Sequence, residues 1–282
     1  MPELFIEAER LREIIGDPRV RIVDTRSKPH GAPNPAAPDG RALYAGGHIP
    51  GAVHLDYAED LQDLATPYAT RVAPPERFAA VLGAHGIGDD ASIVAYDEGN
   101  VSYAARFVWM SRYYGHDDVR ILAGGLPAWL AAGGALSTAP AVVHPAHFTP
   151  RVRPELRATR EEVLAVAEGR SEAQLLETQR DATYATRDRD IRRARRLSAS
   201  LLLEDANGGR IAPRERLEAL LAPLDLDRAK RTIVSCGSGV GASGAYIALL
   251  AAGFSDIAVY DGSWLEWSHD GLPTVVKPEG QR

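Results

Sequence analysis

The chain has 282 residues, is 45% hydrophobic and 25% charged, and carries a formal net charge of −6, the profile of a globular protein of one large or two medium domains. The acidic balance argues against nucleic acid as a partner. A single cysteine excludes an intramolecular disulfide and any cysteine-cluster metal site. No basic-then-apolar leader opens the sequence and no apolar run reaches transmembrane length, so the reading is a soluble, cytoplasmic protein with no membrane partner.

In chain order, Glu7–Ile15 has the pattern of a short amphipathic helix and Val20–Asp24 that of a strand. Residues 27–39 form a loop rich in Pro, Gly and Ala. Tyr44–Leu55, containing Gly47-His48-Ile49-Pro50-Gly51, reads as a turn feeding a short strand. A helix over Pro75–Leu82, a buried strand over Ser92–Tyr96 ending at Asp97, a helix over Ser102–Tyr114, a strand over Val119–Leu122 and a short helix around Trp129 complete the first half. Strands alternating with helices predict an α/β fold with a mainly parallel sheet.

The second half repeats this plan. Ile22–Arg26 matches Leu175–Gln179, Ile93–Asp97 matches Thr232–Cys236, and Gly115–Trp129 matches Gly253–Trp267. The copies divide the chain into residues 1–138 and 158–282, joined by an extended linker over 139–157 carrying Pro140, Pro145, Pro150 and Pro154. The strand Thr232–Ser235 delivers Cys236 into a loop with glycines at 237, 239, 241 and 244, and an apolar helix over Ala245–Ala252 follows, stopped by Gly253. Strand, cysteine, glycine loop and helix point backbone N–H groups at the sulfur. That arrangement predicts a thiol of lowered pKa acting as a thiolate nucleophile. The first copy holds Asp97 where the second holds Cys236, which predicts one catalytic copy and one inactive one.

Five stretches together resemble the tandem rhodanese-type sulfurtransferases, the family of 3-mercaptopyruvate and thiosulfate sulfurtransferases. They are Tyr44–Ala52, Tyr96-Asp97, Gly124–Trp129, Cys236-Gly237-Ser238-Gly239-Val240 and Tyr260–Trp267. The resemblance implies two rhodanese-like domains, the first inactive, and sulfur transfer through a persulfide on Cys236. The donor would be a small anion and the acceptor a thiol, a thioredoxin-like protein or cyanide, with no cofactor and no metal. The loop after Cys236 resembles that of 3-mercaptopyruvate enzymes, because Gly237 and Ser238 stand where thiosulfate enzymes more often carry basic residues. The second copy departs from the family pattern in four places. Arg193–Ala199 replaces the Gly-His-Ile-Pro-Gly motif and Glu177-Thr178-Gln179 replaces Asp-x-Arg. Gly241 stands for a loop threonine, and Thr183 for a carboxylate-binding arginine.

Backbone N–H groups from Gly237 to Ala242, including those of Gly239, Val240 and Gly241, are placed to stabilise an anionic persulfide. Ser238 is a candidate for a bond to the donor or a proton shuttle. Arg187 and Arg192 are the candidates, by position, for anchoring the donor's charge. Asp39 and His48 are implied by the resemblance as an acid–base pair, against a plain role for His48 in fixing its turn. Of two other readings, the residues disfavour the first and leave the second open. Cysteine phosphatase or arsenate reductase chemistry needs an arginine closing the loop, and the next one after Cys236 is Arg282. A non-catalytic sulfur-carrier or protein-binding module would keep the fold without turnover.

Overall fold

The structure, a computed structural model, describes residues 3–28, 39–68, 70–204 and 209–277. Arg282 and most of the expected 27–39 loop lie outside the described residues. The chain divides into two compact units. The first is Met1–Leu64, Val72–Val152 and Asn207–Arg210; the second is Ala65–Arg71, Arg153–Ala206 and Ile211–Arg282.

The first unit holds strands β1 (Phe5–Ile6), β2 (Val20–Asp24), β3 (Val53–His54), β4 (Ser92–Tyr96) and β5 (Val119–Leu122), all parallel, in the order β1-β5-β4-β2-β3. Between them run α1 (Ala8–Ile14), α2 (Gly40–Gly46), α3 (Pro75–Ala84), α4 (Ser102–Tyr113) and α5 (Gly125–Ala131). The second unit repeats the order with β6 (Arg157–Ala158), β7 (Gln174–Glu177), β9 (Arg195–Arg196), β10 (Thr232–Ser235) and β11 (Ile257–Tyr260), arranged β6-β11-β10-β7-β9. Its helices are α6 (Arg160–Ala167), α7 (Asp181–Tyr184), α8 (Arg214–Leu221), α9 (Val240–Ala251) and α10 (Ser263–His269). A separate antiparallel pair joins β8 (Arg189–Ile191) to β12 (Thr274–Val276).

Parallel sheets are covered on both faces, which is why β10, with all four residues buried, reads in sequence as a continuous apolar and β-branched run. Each core closes on a tryptophan after the last sheet strand. Trp129 Nε1 donates to Ala135 O at 2.9 Å in the first unit, and Trp267 Nε1 to Pro273 O at 3.0 Å in the second. A capping box at Thr159 and Glu162 starts α6. The proline-rich stretch after Ser137 is extended but tied down in the first unit: Ala146 N donates to Gly83 O and Arg151 N to Tyr114 O, each at 2.9 Å.

Two elements differ from the sequence expectation. Gly40–Gly46 is helical, running into the stretch from Tyr44 expected as turn, because Asp39 caps it by accepting from Ala42 N at 2.8 Å. α9 begins at Val240, five residues before the expected helix, so Gly241 and Gly244 are helical and not loop. The left-handed conformation of Gly239, φ +83°, ends the loop and lets the helix start there.

Candidate functional site

β10 is the third strand of its five-stranded sheet, and Cys236 follows its carboxyl end, where open α/β sheets place their ligand sites. The cysteine is 4% exposed. Its N–H donates to Ser263 Oγ at 3.1 Å, and its carbonyl accepts from Trp264 N at 3.0 Å, which clamps the loop to the start of α10. Gly239 N donates to Cys236 Sγ at 3.2 Å, and the N–H groups of Ser238 and Ala242 also act on the sulfur. A Cβ at Gly239 would lie 2.6 Å from Asp261 O, so only glycine fits this close approach. A Cβ at Gly241 would rest 3.6 Å from Sγ, in ordinary contact. Val240 is buried at the start of α9, and Gly237 faces the Gln179 carboxamide, 3.1 Å from where its own Cβ would stand.

The expected lowering of the thiol pKa is corrected by the surroundings of the sulfur. Burial, and then the Glu177 carboxylate, push the Cys236 thiol up, while the N–H groups of Ser238, Ala242 and Gly239 pull it down. Glu177 ends β7 opposite Ser235 and is fully buried. It accepts from Gln179 N at 2.8 Å and Ser235 Oγ at 3.2 Å, and pairs with Arg187 Nη2 at 3.1 Å. Burial pushes its carboxyl up against the pull of Arg187.

Arg187 lies between aromatic faces, its Cζ 4.3 Å from the Trp264 ring centre and 4.6 Å from that of Tyr184. It also pairs with Asp190 at 3.0 Å. Its Nε and Nη1 are buried and have no hydrogen-bond partner among the described residues. Arg196 stacks on Tyr184 at 4.1 Å and donates through Nη2 to Gln179 O and Asp181 Oδ1, leaving Nη1 buried and likewise without a partner there. Lys277, nearly buried, is 4.0 Å from the same ring centre and donates to Tyr184 O at 2.6 Å. The sulfur is thus bordered by Glu177, and Glu177 by an aromatic-lined cation cluster.

The other predicted residues fall differently. Arg192 is exposed and makes no ion pair or hydrogen bond among the described residues, so nothing joins it to Arg187 or the loop. Ser238 enters through its backbone: its N–H faces the sulfur and its carbonyl accepts from Thr70 Oγ1 at 2.5 Å. Asp39 and His48, the acid–base candidates, are each engaged locally. Asp39 belongs to the first unit, as the cap of α2. His48, also there, is fully buried and stacked on Tyr44. Its Nδ1 is 2.8 Å from Tyr44 O and its Nε2 3.1 Å from Ala139 O, so both ring nitrogens are engaged by carbonyls and the histidine fixes its turn.

The first unit carries the same loop with an acid in place of the thiol. Asp97 is 2% exposed; Oδ1 accepts from the N–H groups of Gly99, Asn100 and Val101, and Oδ2 from those of Tyr103 and Ala104. The first unit's loop thus turns five backbone N–H groups onto a side-chain acid of the protein itself, while burial pushes that carboxyl up. Asp24 and Arg26 form a local bidentate pair there, Nε and Nη2 donating to the carboxylate at 2.9 and 2.6 Å. In the second unit Glu177 keeps the acidic position, and its arginine comes instead from Arg187 beyond α7.

The sequence reading missed Thr70 and Arg71, which belong to the second unit. Arg71 pairs there with Glu266 at 3.0 Å and Asp261 at 3.9 Å. The signal was present, since residues 68–78 repeat as residues 207–217, with Arg71-Val72-Ala73-Pro74 answering Arg210-Ile211-Ala212-Pro213. An open cavity of about 710 Å³ in the second unit is lined by residues such as Gln174, Arg193, Arg195 and Lys230 at the opposite end of β7, and includes no residue of the Cys236 loop. No group of His, Cys, Asp and Glu among the described residues could hold a metal ion, and no helix among them is long and apolar enough to cross a membrane.

Comparison with known proteins agrees with this architecture. The family profile described as "Rhodanese-like domain" matches twice, over residues 7–132 and 159–270. The chain is 31% identical over 271 residues to 3-mercaptopyruvate sulfurtransferase of Escherichia coli K12, covering 93% of this chain and 94% of that one. It is also 31% identical over 286 residues to bovine thiosulfate sulfurtransferase, covering 97% and 93%. The crystal structure of SseA from Escherichia coli, described as a 3-mercaptopyruvate sulfotransferase with the rhodanese fold, superposes with a TM-score of 0.82 at 30% identity over 92% of this chain and 98% of that one. With a duplicated parallel sheet, a cysteine loop in one copy and these relatives over nearly its full length, the chain belongs to the rhodanese-like family of sulfurtransferases, as a tandem of two such domains.

Proposed function

We propose that the protein moves sulfur from a small anionic donor to a thiol, a thioredoxin-like protein or cyanide through a persulfide on Cys236, with the Asp97 copy catalytically silent. The observation that carries the reading is the pair of matched loops. In one, five N–H groups hold the Asp97 carboxylate; in the other, the corresponding backbone faces Cys236 Sγ. A persulfide is an anion of similar demand, and fixed N–H dipoles stabilise it without rearrangement. Asp97 has no sulfur to offer and already fills its own cradle.

With thiosulfate, the thiolate attacks the outer sulfur, the S–S bond breaks towards sulfite, and Cys236 keeps an anionic persulfide. With 3-mercaptopyruvate, the thiolate attacks the thiol sulfur, and the C–S electron pair passes into the carbonyl as an enolate, which takes a proton to become pyruvate. A thiolate or cyanide acceptor then attacks the outer sulfur and releases Cys236 as thiolate. The free donors Arg187 Nε and Nη1 and Arg196 Nη1 support an anionic donor anchored by guanidinium groups. Arg187, beyond the end of α7, supplies the guanidinium that Thr183 lacks. An arginine-held carboxylate and the Gly237-Ser238 sequence favour 3-mercaptopyruvate over thiosulfate.

Intact mass spectrometry after exposure to each donor tests this, with Cys236→Ser as the blank. A gain of one sulfur atom that needs Cys236 is expected, greater with 3-mercaptopyruvate. No gain with either donor overturns the reading; loading by thiosulfate alone overturns the donor assignment. Sulfur loading without turnover on small acceptors would mark a carrier instead of an enzyme. Arg187→Ala is expected to raise KM for the donor about tenfold or more, and an unchanged KM would remove Arg187 from donor binding.

A further inference from the structure

Thr70 is 1% exposed and sits at φ +71°, in the left-handed region. A β-branched residue there is an outlier, since its side chain crowds its own backbone. The matching residue in the other copy of the repeat is Gly209, at φ +56°, the residue type that conformation favours. A Cβ on Gly209 would lie 2.5 Å from Gly99 Cα, so the Asp97 loop tolerates no side chain at this place. Gly99 is the second residue after Asp97, as Ser238 is the second after Cys236. The copy with the carboxylate therefore has glycine against its loop, and the copy with the thiol has a strained threonine. Strain kept at one site and absent from its twin marks a group with a task.

The task is visible in the hydrogen bonds. Thr70 Oγ1 donates to Ser238 O at 2.5 Å. The same peptide unit continues into Gly239 N, which donates to Cys236 Sγ at 3.2 Å. Its orientation is fixed, because Gly239 is at φ +83° and packed against Asp261 O. A donor on the carbonyl of an amide polarises the amide and strengthens its N–H as a donor. The chain runs from hydroxyl to carbonyl, through the peptide, to sulfur. Arg71, the next residue, holds the segment in place through Glu266 and Asp261.

We propose that the Thr70 hydroxyl is a positioning group for the Cys236 sulfur, acting through the Ser238–Gly239 peptide to strengthen the N–H···S hydrogen bond that stabilises the thiolate and, on the sulfur-transfer reading above, the persulfide. Thr70 acts on the sulfur through the peptide and not as a catalytic group. Its partner in the balance is Glu177, whose charge acts on the sulfur in the opposite sense.

The test uses the full-length protein, whose single cysteine makes the thiolate ultraviolet absorbance and the iodoacetamide rate unambiguous. Both are followed against pH in Thr70→Val, Thr70→Ser and Thr70→Gly, with thermal unfolding in parallel. Thr70→Val is expected to raise the thiol midpoint by about half a unit to one unit and to slow alkylation at neutral pH about three- to tenfold. Thr70→Ser restores the wild-type curve. Thr70→Gly shows the same chemical loss while unfolding no earlier than wild type, because glycine relieves the backbone. Curves for Thr70→Val and Thr70→Gly that overlay wild type would overturn the proposal, as would a Thr70→Ser curve that matches Thr70→Val. These measurements use no sulfur donor, so failure of the protein to load sulfur would sink the functional reading without touching them.

Discussion

Cys236 is held between opposing influences, and the sequence displayed only one of them. Its loop, with glycines and a following helix, announced backbone donors, which the structure contains. Burial and Glu177 act in the other direction, and both are tertiary: Glu177 is 59 positions earlier in the chain and meets the sulfur through the β7–β10 register, where it stands opposite Ser235. Removing that charge gives a signed prediction. Glu177→Gln is expected to lower the Cys236 midpoint by about half a unit to one unit, so alkylation at fixed pH below that midpoint speeds up. The same change leaves Arg187 with Asp190 alone and is expected to cost about 1–3 kcal/mol in urea unfolding. An unchanged alkylation curve would mean that Glu177 carries no charge felt by the sulfur. His48 shows the reverse lesson: of the two roles its glycine turn left open, acid–base group or turn-fixing residue, carbonyls against both ring nitrogens support the second.

At the level of elements, strands were legible where a short apolar or β-branched run is mostly buried. Val20–Asp24, Ser92–Tyr96, Val119–Leu122 and Thr232–Ser235 stand where the apolar runs put them. Helix ends were not, because glycine has two meanings. Gly239 is needed for φ +83° and for close approach to Asp261 O, whereas Gly241 and Gly244 are ordinary helical positions of α9 that sequence alone assigns to the loop. Two substitutions two residues apart should therefore behave oppositely. Gly239→Ala is expected to destabilise the protein by about 1–3 kcal/mol or more and to weaken the sulfur's N–H bond, since its Cβ meets backbone at 2.6 Å. Gly241→Ala is expected to stabilise it by about 0.5–1 kcal/mol, as helical Gly-to-Ala changes do. Its methyl, 3.6 Å from Sγ, should slow bulky alkylating reagents more than small ones. Chemical denaturation and the ratio of the two alkylation rates check both; equal effects of the two substitutions would contradict this division of the loop.

For the whole molecule, the repeat was the most informative feature of the sequence, since it predicted two sheets of one topology and a lone reactive copy. The structure repeats the strand order, the tryptophan closure and the loop, while exchanging Cys236 for Asp97 and Arg187 for Arg26. Sequence division at a linker did not reveal that Ala65–Arg71 belongs to the second unit. A fragment of residues 153–282 would lack the Thr70 bond and leave Glu266, nearly buried, without Arg71. We expect that fragment to be less stable than the same unit in the full chain by about 3 kcal/mol or more, with a slower-reacting Cys236, as read by denaturation and alkylation; equal values would contradict the assignment of 65–71. The central claim, that Cys236 carries one sulfur atom in transit, is tested most directly by discharge. Protein loaded with a donor and freed of excess should release one thiocyanate per chain on adding cyanide, its Cys236 peptide returning to the unloaded mass, and Cys236→Ser should release none. Absence of thiocyanate from the loaded wild type, or an equal yield from Cys236→Ser, would contradict it.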